Sequence, residues 1–217
     1  MRTSSKLFGG SHILHMSCTE EKKELLEYIY AHTGIALPER SKQHKLLSNS
    51  NFPILCNGYY ALGVPEDLDV YIYFTRYKGC KMCFLICRQL TAGHIQPKIL
   101  IIFPQCSNDE LYSGTLIEAT RIRCREERFF ILMTDILWKS GDKICSENYI
   151  NRLQKLGDIM KDDIKENLEK QPFRLQVVCP YEHLNLLEAR LNNLPYKVNR
   201  ILFYPSKRNQ SSLYFPL

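Results

Sequence analysis

The sequence predicts an α+β fold in which antiparallel strands come first and helices are inserted late. Three features of the chain point to it. Apolar runs rich in β-branched and aromatic residues recur at short intervals after residue 55, at 70–74, 82–87 and 99–103, the composition of buried strands. Two further runs, 116–122 and 129–137, flank the charged tetrapeptide Arg125-Glu126-Glu127-Arg128 as an antiparallel hairpin would. The longest helical spacing comes after them, with Ile150, Leu153, Leu156, Met160, Ile164 and Leu168 on one face.

In chain order, residues 1–16 carry little apolar pattern and are expected to form a flexible lead outside the fold. Residues 17–51 read as a helix and a linker. Ser17 and Glu20 have the spacing of a capping box, Leu25, Leu26, Ile29 and Tyr30 share a helical face, and Gly34 ends the run. The stretch 39–51 is polar, and its small basic cluster, Arg40, Lys42 and Lys45, reads as a solvated loop. The main domain is expected over 52–217. Within it, Phe173, Leu175 and Val177 alternate with Arg174 and Gln176 as in a half-buried strand. Leu184, Leu187 and Leu191 mark a helix after Pro180, residues 201–204 a strand, and the last few residues one more.

Composition narrows the class. The chain has 217 residues, 45% hydrophobic and 24% charged, enough for one domain with a core and unlike a disordered chain. Lys+Arg 29 against Asp+Glu 23 leaves a net charge of +6, which permits an anionic partner such as nucleic acid without requiring one. Nine cysteines in no regular framework point to reduced thiols, in the nucleus and/or cytoplasm. No apolar run approaches a membrane span and no signal peptide opens the chain, so no membrane partner is expected.

Chemistry concentrates at the turn Thr75-Arg76-Tyr77-Lys78-Gly79-Cys80-Lys81, between two strongly apolar strands. Gly79 supplies a left-handed turn position, and Arg76, Lys78 and Lys81 crowd the hairpin mouth, where charge-assisted hydrogen bonds suit a phosphate. An ordinary solvated hairpin is the plain alternative. Cys80, Cys83 and Cys87 alternate between strand faces and cannot converge on one ion, so they read as small buried hydrophobes and no metal is expected. No P-loop or GxGxxG pattern is present. Tyr59 and Tyr60 follow a glycine outside the strand runs and are expected to be exposed, the condition for stacking on a base.

The order of these blocks resembles the mRNA-capping guanylyltransferases and ATP-dependent ligases. Residues 73–81 resemble their KxDG nucleotidyl-lysine motif, Ser113-Gly114-Thr115-Leu116 their DGE strand, and residues 130–137 with Gly141 their FxxFDxL-x-x-x-G strand. Residues 198–203 stand where DGLIF is expected, and Leu213-Tyr214-Phe215-Pro216 where KWKP is expected. In that family the motif lysine attacks the nucleotide α-phosphate while carboxylates handle metal ions and sugar. Here the lysine position is Arg76, whose guanidinium stays protonated and is no nucleophile. The motif aspartate is Lys78, the DGE acids are Ser113 and Thr115, the DG is Asn199-Arg200, and the late lysines are Leu213 and Phe215. The resemblance therefore implies an antiparallel-sheet nucleotidyltransferase-like domain with inserted helices, without an OB domain, that is catalytically inactive.

A non-catalytic branch is closer still, the snurportin-type cap-binding domain. Leu62-Gly63-Val64-Pro65-Glu66-Asp67-Leu68 resembles its VPSDL stretch, residues 76–81 its CPVGKR turn, and residues 194–204 its FPFEVDGLLFY. Tyr60 stands where that domain has a cap-site Trp, Lys81 where it has a basic cap contact, and only Tyr214 or Phe215 is available for its second Trp. This resemblance implies a binding protein for capped RNA or a nucleotide-bearing RNA end, without catalytic residues, metal or cofactor. Tyr60 would stack on the base, Arg76, Lys78 and Lys81 would hold phosphates, and Arg200 would contact ribose or phosphate. The alternatives are a pseudoenzyme scaffold docking onto RNA polymerase, a methyltransferase or an RNP, and an active covalent nucleotidyltransferase using Lys78 or Lys81.

Overall fold

A computed structural model describes residues 6–8, 11–37, 44–65, 68–123, 129–164, 173–191, 193–194, 196–207 and 210–217. The fold is mixed α+β, built from two mostly antiparallel sheets and few helices. The larger sheet contains β1 (Lys6–Phe8), β2 (Ser11–Met16), β5 (Leu68–Tyr77), β6 (Cys80–Cys87), β7 (Ile99–Ile102), β8 (Ser113–Arg123), β9 (Phe129–Lys139) and β10 (Asp142–Lys143). Their order is β1-β2-β7-β6-β5-β8-β9-β10, and β11 (Phe173–Leu175) lies parallel to β9. The smaller sheet has the order β12-β4-β13-β14-β3, from Val178–Pro180, Tyr59–Val64, Arg200–Pro205, Leu213–Pro216 and Lys45–Leu46 respectively.

The apolar runs are continuous because the larger sheet is covered on both faces. Along β5, Val70, Ile72 and Phe74 enter one core with Leu85, Met133 and the helix α2 (Tyr149–Asp158), which contributes Leu156. The intervening Tyr71 and Tyr73 enter a second core with Phe84, Ile101 and the helix α1 (Thr19–Thr33), which contributes Leu25 and Ile29. The hairpin of β8 and β9 forms as expected, with Ile122 opposite Phe130; its charged turn lies outside the described residues. The helix α3 (Leu184–Leu191) buries Leu187 against β4, and β13 and β14 pair as the sequence expects.

Several expectations are corrected. The lead is not loose over Ser11–Met16: this segment pairs with β7, Leu14 opposite Ile101, and buries Ile13 and Met16 in opposite cores. Alternation too short to stand out in the sequence is enough once a strand edge is available. The linker is interrupted by β3, where Lys45 pairs parallel to Leu213. Helix α1 starts after Cys18, whose thiol donates to Glu20 Oε2 at 3.1 Å, so Ser17 is not its cap. Gly34 does end it, in the left-handed region at φ 69°.

The long helix is shorter than its spacing implies. After Asp158 the chain makes one π turn, Ile159–Asp163, and Ile164 is extended and bridges to Cys106; Leu168 lies outside the described residues. The strand expected over 173–177 is split between sheets. Phe173 pairs with Ile131 in β9, whereas Val178 pairs with Leu62 in β4. The crossing occurs at Gln176, which is buried while Leu175 is exposed. Gln176 N donates to Met133 O at 2.9 Å and its Nε2 to Gly63 O at 3.1 Å, so one residue ties the sheets together.

Candidate functional site

The β5–β6 hairpin turns at Lys78-Gly79, both with positive φ (50° and 79°), the geometry of a two-residue turn that follows strand twist. This puts Arg76 opposite Lys81 at the hairpin end. Neither cation faces open solvent alone. Asp109, at the start of a short 3-10 helix Asp109–Tyr112, places Oδ1 2.5 Å from Lys81 Nζ and Oδ2 3.7 Å from Arg76. Lys78 turns the other way and donates to Glu24 Oε2 of α1 at 2.7 Å. Exposed pairs of this kind contribute little to stability, because water screens them.

The pairing favours the charged forms of Asp109 and Lys78. The hydrogen bond from Lys81, reinforced by its charge and that of Arg76, holds the Asp109 carboxyl below the usual range. The hydrogen bond to Glu24 raises the Lys78 ammonium above its ordinary value. Because the folded pKa of Asp109 is depressed, its pair contributes above the ordinary carboxylate pKa and is lost as pH falls through the depressed value. In Lys81→Ala, the Asp109 carboxyl is expected to titrate at higher pH by carboxyl NMR. An unchanged titration midpoint would show that Lys81 does not set it.

Tyr60 and Arg200 lie elsewhere. Both belong to the smaller sheet, where Tyr60 faces Tyr204 and Pro180 across its strand partners and Arg200 faces Val64 and Pro216. The four-residue offset of Tyr60 and Val64 along β4 corresponds to about 13 Å. Tyr59, expected to be exposed, is buried and donates to Ser211 O at 3.0 Å. Tyr60 is half-buried, its ring 5.8 Å from Tyr149. Strand pairing on both sides of β4 removes the free loop that the sequence implied.

Arg200 instead lines a cavity of about 50 Å³ between the sheets, together with Asp69, Arg88, His44, Tyr149 and Gln176. Asp69 is seven residues before Arg76 in the extended strand β5, which separates this cavity from the hairpin mouth by about 23 Å. The five expected site residues therefore do not converge. Arg76 and Lys81 share the hairpin end, Lys78 is bound to α1, Arg200 faces the inter-sheet cavity and Tyr60 packs beside Tyr149. Cys83 and Cys87 are buried as expected, whereas Cys80, at the hairpin turn, is exposed.

Between the sheets lies a buried ionic network that the sequence reading missed. Asp135 of β9 is 1% exposed and Arg152 of α2 is fully buried. Arg152 Nε donates to Asp135 Oδ1 and its Nη2 to Oδ2, both at 2.8 Å. Ile136 N also donates to Oδ1 at 2.8 Å, and Tyr204 of β13 donates its hydroxyl to Oδ2 at 3.1 Å. Arg152 additionally donates to Glu147 O. Tyr149 donates to Thr134 O at 2.9 Å and stacks tilted on Tyr204 at 4.5 Å. Burial and the charge of Asp135 push the Tyr149 hydroxyl well above its ordinary pKa. The sequence signal for Arg152 is its place between Tyr149 and Leu156 on the inward face of α2, where an apolar residue belongs. A charge there requires a buried partner. Arg88 and His44 carry no comparable signal, because only the fold brings them to the cavity.

Among the described residues, no group of three His, Cys, Asp or Glu side chains is placed to hold a metal ion, and no helix is long and apolar enough to cross a membrane. No family model matches the chain, and no curated protein matches it.

Proposed function

We propose that the chain is a non-catalytic protein of nucleotidyltransferase-like architecture that binds a capped or otherwise nucleotide-bearing RNA end. One observation carries the non-catalytic part. Where the resemblance expects an amine nucleophile stands Arg76, and both neighbouring amines, Lys78 and Lys81, are engaged by carboxylates. An ammonium held by a carboxylate has no lone pair to attack phosphorus, and the hydrogen bond from Lys78 to Glu24 Oε2 favours its protonated form. The binding part is supported by the inter-sheet crevice, where Arg200 and Arg88 meet the tyrosine-rich seam of Tyr149 and Tyr204. Guanidinium groups beside aromatic rings suit nucleotide ends.

A scaffold that docks onto other RNA-processing proteins is the second reading, and the burial of the seam tyrosines favours it. Tyr149 is 1% and Tyr204 8% exposed, so neither ring offers an open face for a base to stack on. Calorimetric titration of the full chain with 7-methyl and trimethyl cap analogues separates the two. Saturable micromolar binding is expected; its absence at millimolar analogue rejects the binding reading in favour of the scaffold. Incubation with labelled GTP or ATP and magnesium is expected to leave no covalent adduct on a denaturing gel, and an adduct would overturn the non-catalytic assignment.

A further inference from the structure

We infer that Asp109 is an internal competitor at the hairpin mouth: its carboxylate occupies the anion position shared by Arg76 and Lys81, and a ligand's phosphate binds there by displacing it. The inference deepens the reading above, on which it rests in taking the ligand to bear phosphate, and it adds a self-contact that holds the position until a stronger anion arrives.

The chain's own carboxylate marks the place. Arg76 and Lys81 are cross-strand partners at the end of the β5–β6 hairpin, so strand pairing sends both cations to one face. Asp109 reaches both, with Oδ1 2.5 Å from Lys81 Nζ and Oδ2 3.7 Å from Arg76 Nη2. The second distance is longer than a hydrogen bond, so the carboxylate bonds the lysine and only attracts the arginine. Among the described residues, Asp109 is the one carboxylate in ion-pair contact with either cation. A phosphate group carries more charge and three terminal oxygens, which lets it bond both cations at once. Guanidinium forks also match phosphate oxygens in pairs. Lys78 takes no part, because Glu24 holds it on the side of α1.

The contact is arranged to open without backbone movement. Ahead of Asp109, Ser107 N donates to Asp163 O and Ser107 Oγ to Asp162 O, both at 2.8 Å, and Cys106 bridges to Ile164. After it, Leu111 and Tyr112 are buried, and Tyr112 meets Phe74 edge-on at 5.7 Å. The short helix is capped by Asn108, whose Oδ1 accepts from Glu110 N at 2.9 Å, and not by Asp109. The Asp109 side chain is 61% exposed, so rotation about its own torsions frees the two cations. An exposed ion pair is easily broken, which makes Asp109 a weak competitor rather than a permanent block.

Inorganic phosphate is the probe, titrated calorimetrically into the full chain at constant ionic strength. Asp109→Asn keeps the side-chain shape and is expected to bind phosphate about fivefold tighter than wild type. Adding Arg76→Gln or Lys81→Met to it is expected to abolish the gain. Glu188→Gln, on the exposed side of α3, controls for net charge and is expected to bind as wild type. In wild type, saturating phosphate is expected to move the carboxyl NMR signal of Asp109. Should Asp109→Asn not fold, that signal decides. Absence of phosphate binding, equal binding by wild type and Asp109→Asn, an unmoved Asp109 signal, a gain that survives both double variants, or the same gain in Glu188→Gln each overturns the inference. The two proposals fail separately. A phosphate gain in Asp109→Asn with no cap-analogue binding by either protein rejects the RNA-end reading and keeps the self-contact. Cap-analogue binding with no phosphate gain in Asp109→Asn rejects the self-contact and keeps the RNA-end reading.

Discussion

Arg152→Met is expected to destabilise the fold by about 3–5 kcal/mol, because it removes the cation and leaves the buried Asp135 carboxylate without the countercharge of Arg152. Asp135 is 1% exposed and receives two donors from Arg152, so water cannot replace the lost partner without opening the sheets. Methionine fills a similar volume, which separates charge loss from cavity formation. For a chain of this length each kcal/mol shifts the melting temperature by about 2–4 °C. Denaturant unfolding with linear extrapolation measures the loss, and a value under about 1 kcal/mol would show that the pair is not the lock between the sheets. The double variant Arg152→Met with Asp135→Leu is expected to recover much of the loss, since an apolar replacement of a buried pair is often neutral or better. The pair also carries a functional consequence. It joins β9 and α2, and Tyr204 extends it to β13, so the width of the inter-sheet cavity depends on it.

Phe84→Ala is expected to cost about 3–5 kcal/mol through lost burial and the cavity left behind. Phe84 is fully buried at the centre of the core that α1 covers, and meets Tyr77 edge-on at 5.8 Å. Its loss falls on the contact between the β5–β6 hairpin and α1, so hydrogen exchange should rise first in α1. Uniform exchange increases across both sheets would instead mean that α1 unfolds only with the whole domain. The Lys78–Glu24 pair spans the same contact and is too exposed to compensate.

Much of the fold was legible because local composition and burial agree. Residues 70–74 lack alternation and still read as a strand, since β-branched and aromatic residues suit a sheet covered on both faces. The hairpin of β8 and β9 is legible from its charged turn, and α1 from its face of Leu25 and Ile29 ended by Gly34. Short elements were not. β2, β3 and β12 are strands because an edge of another strand waits for them, and nothing within two to six residues encodes that edge. The switch of sheets at Gln176 is equally silent, because a buried amide looks like any half-exposed polar residue until its acceptor, Gly63 O, is in place.

For the candidate site the division is sharper. By itself the sequence determined the chemistry of single positions: a guanidinium at Arg76, amines at Lys78 and Lys81, and a mild excess of positive charge. Those are covalent facts, independent of conformation. Which charges face one another was decided only by the tertiary structure. Strand pairing sets Arg76 opposite Lys81, where a 3-10 helix brings Asp109, and packs Tyr60 between two strands; the fold also brings Arg88, Arg200 and His44 to one cavity from three distant segments. The physical reason is range. Side-chain chemistry and strand composition act within a few residues, whereas a site between two sheets is made by contacts across more than a hundred.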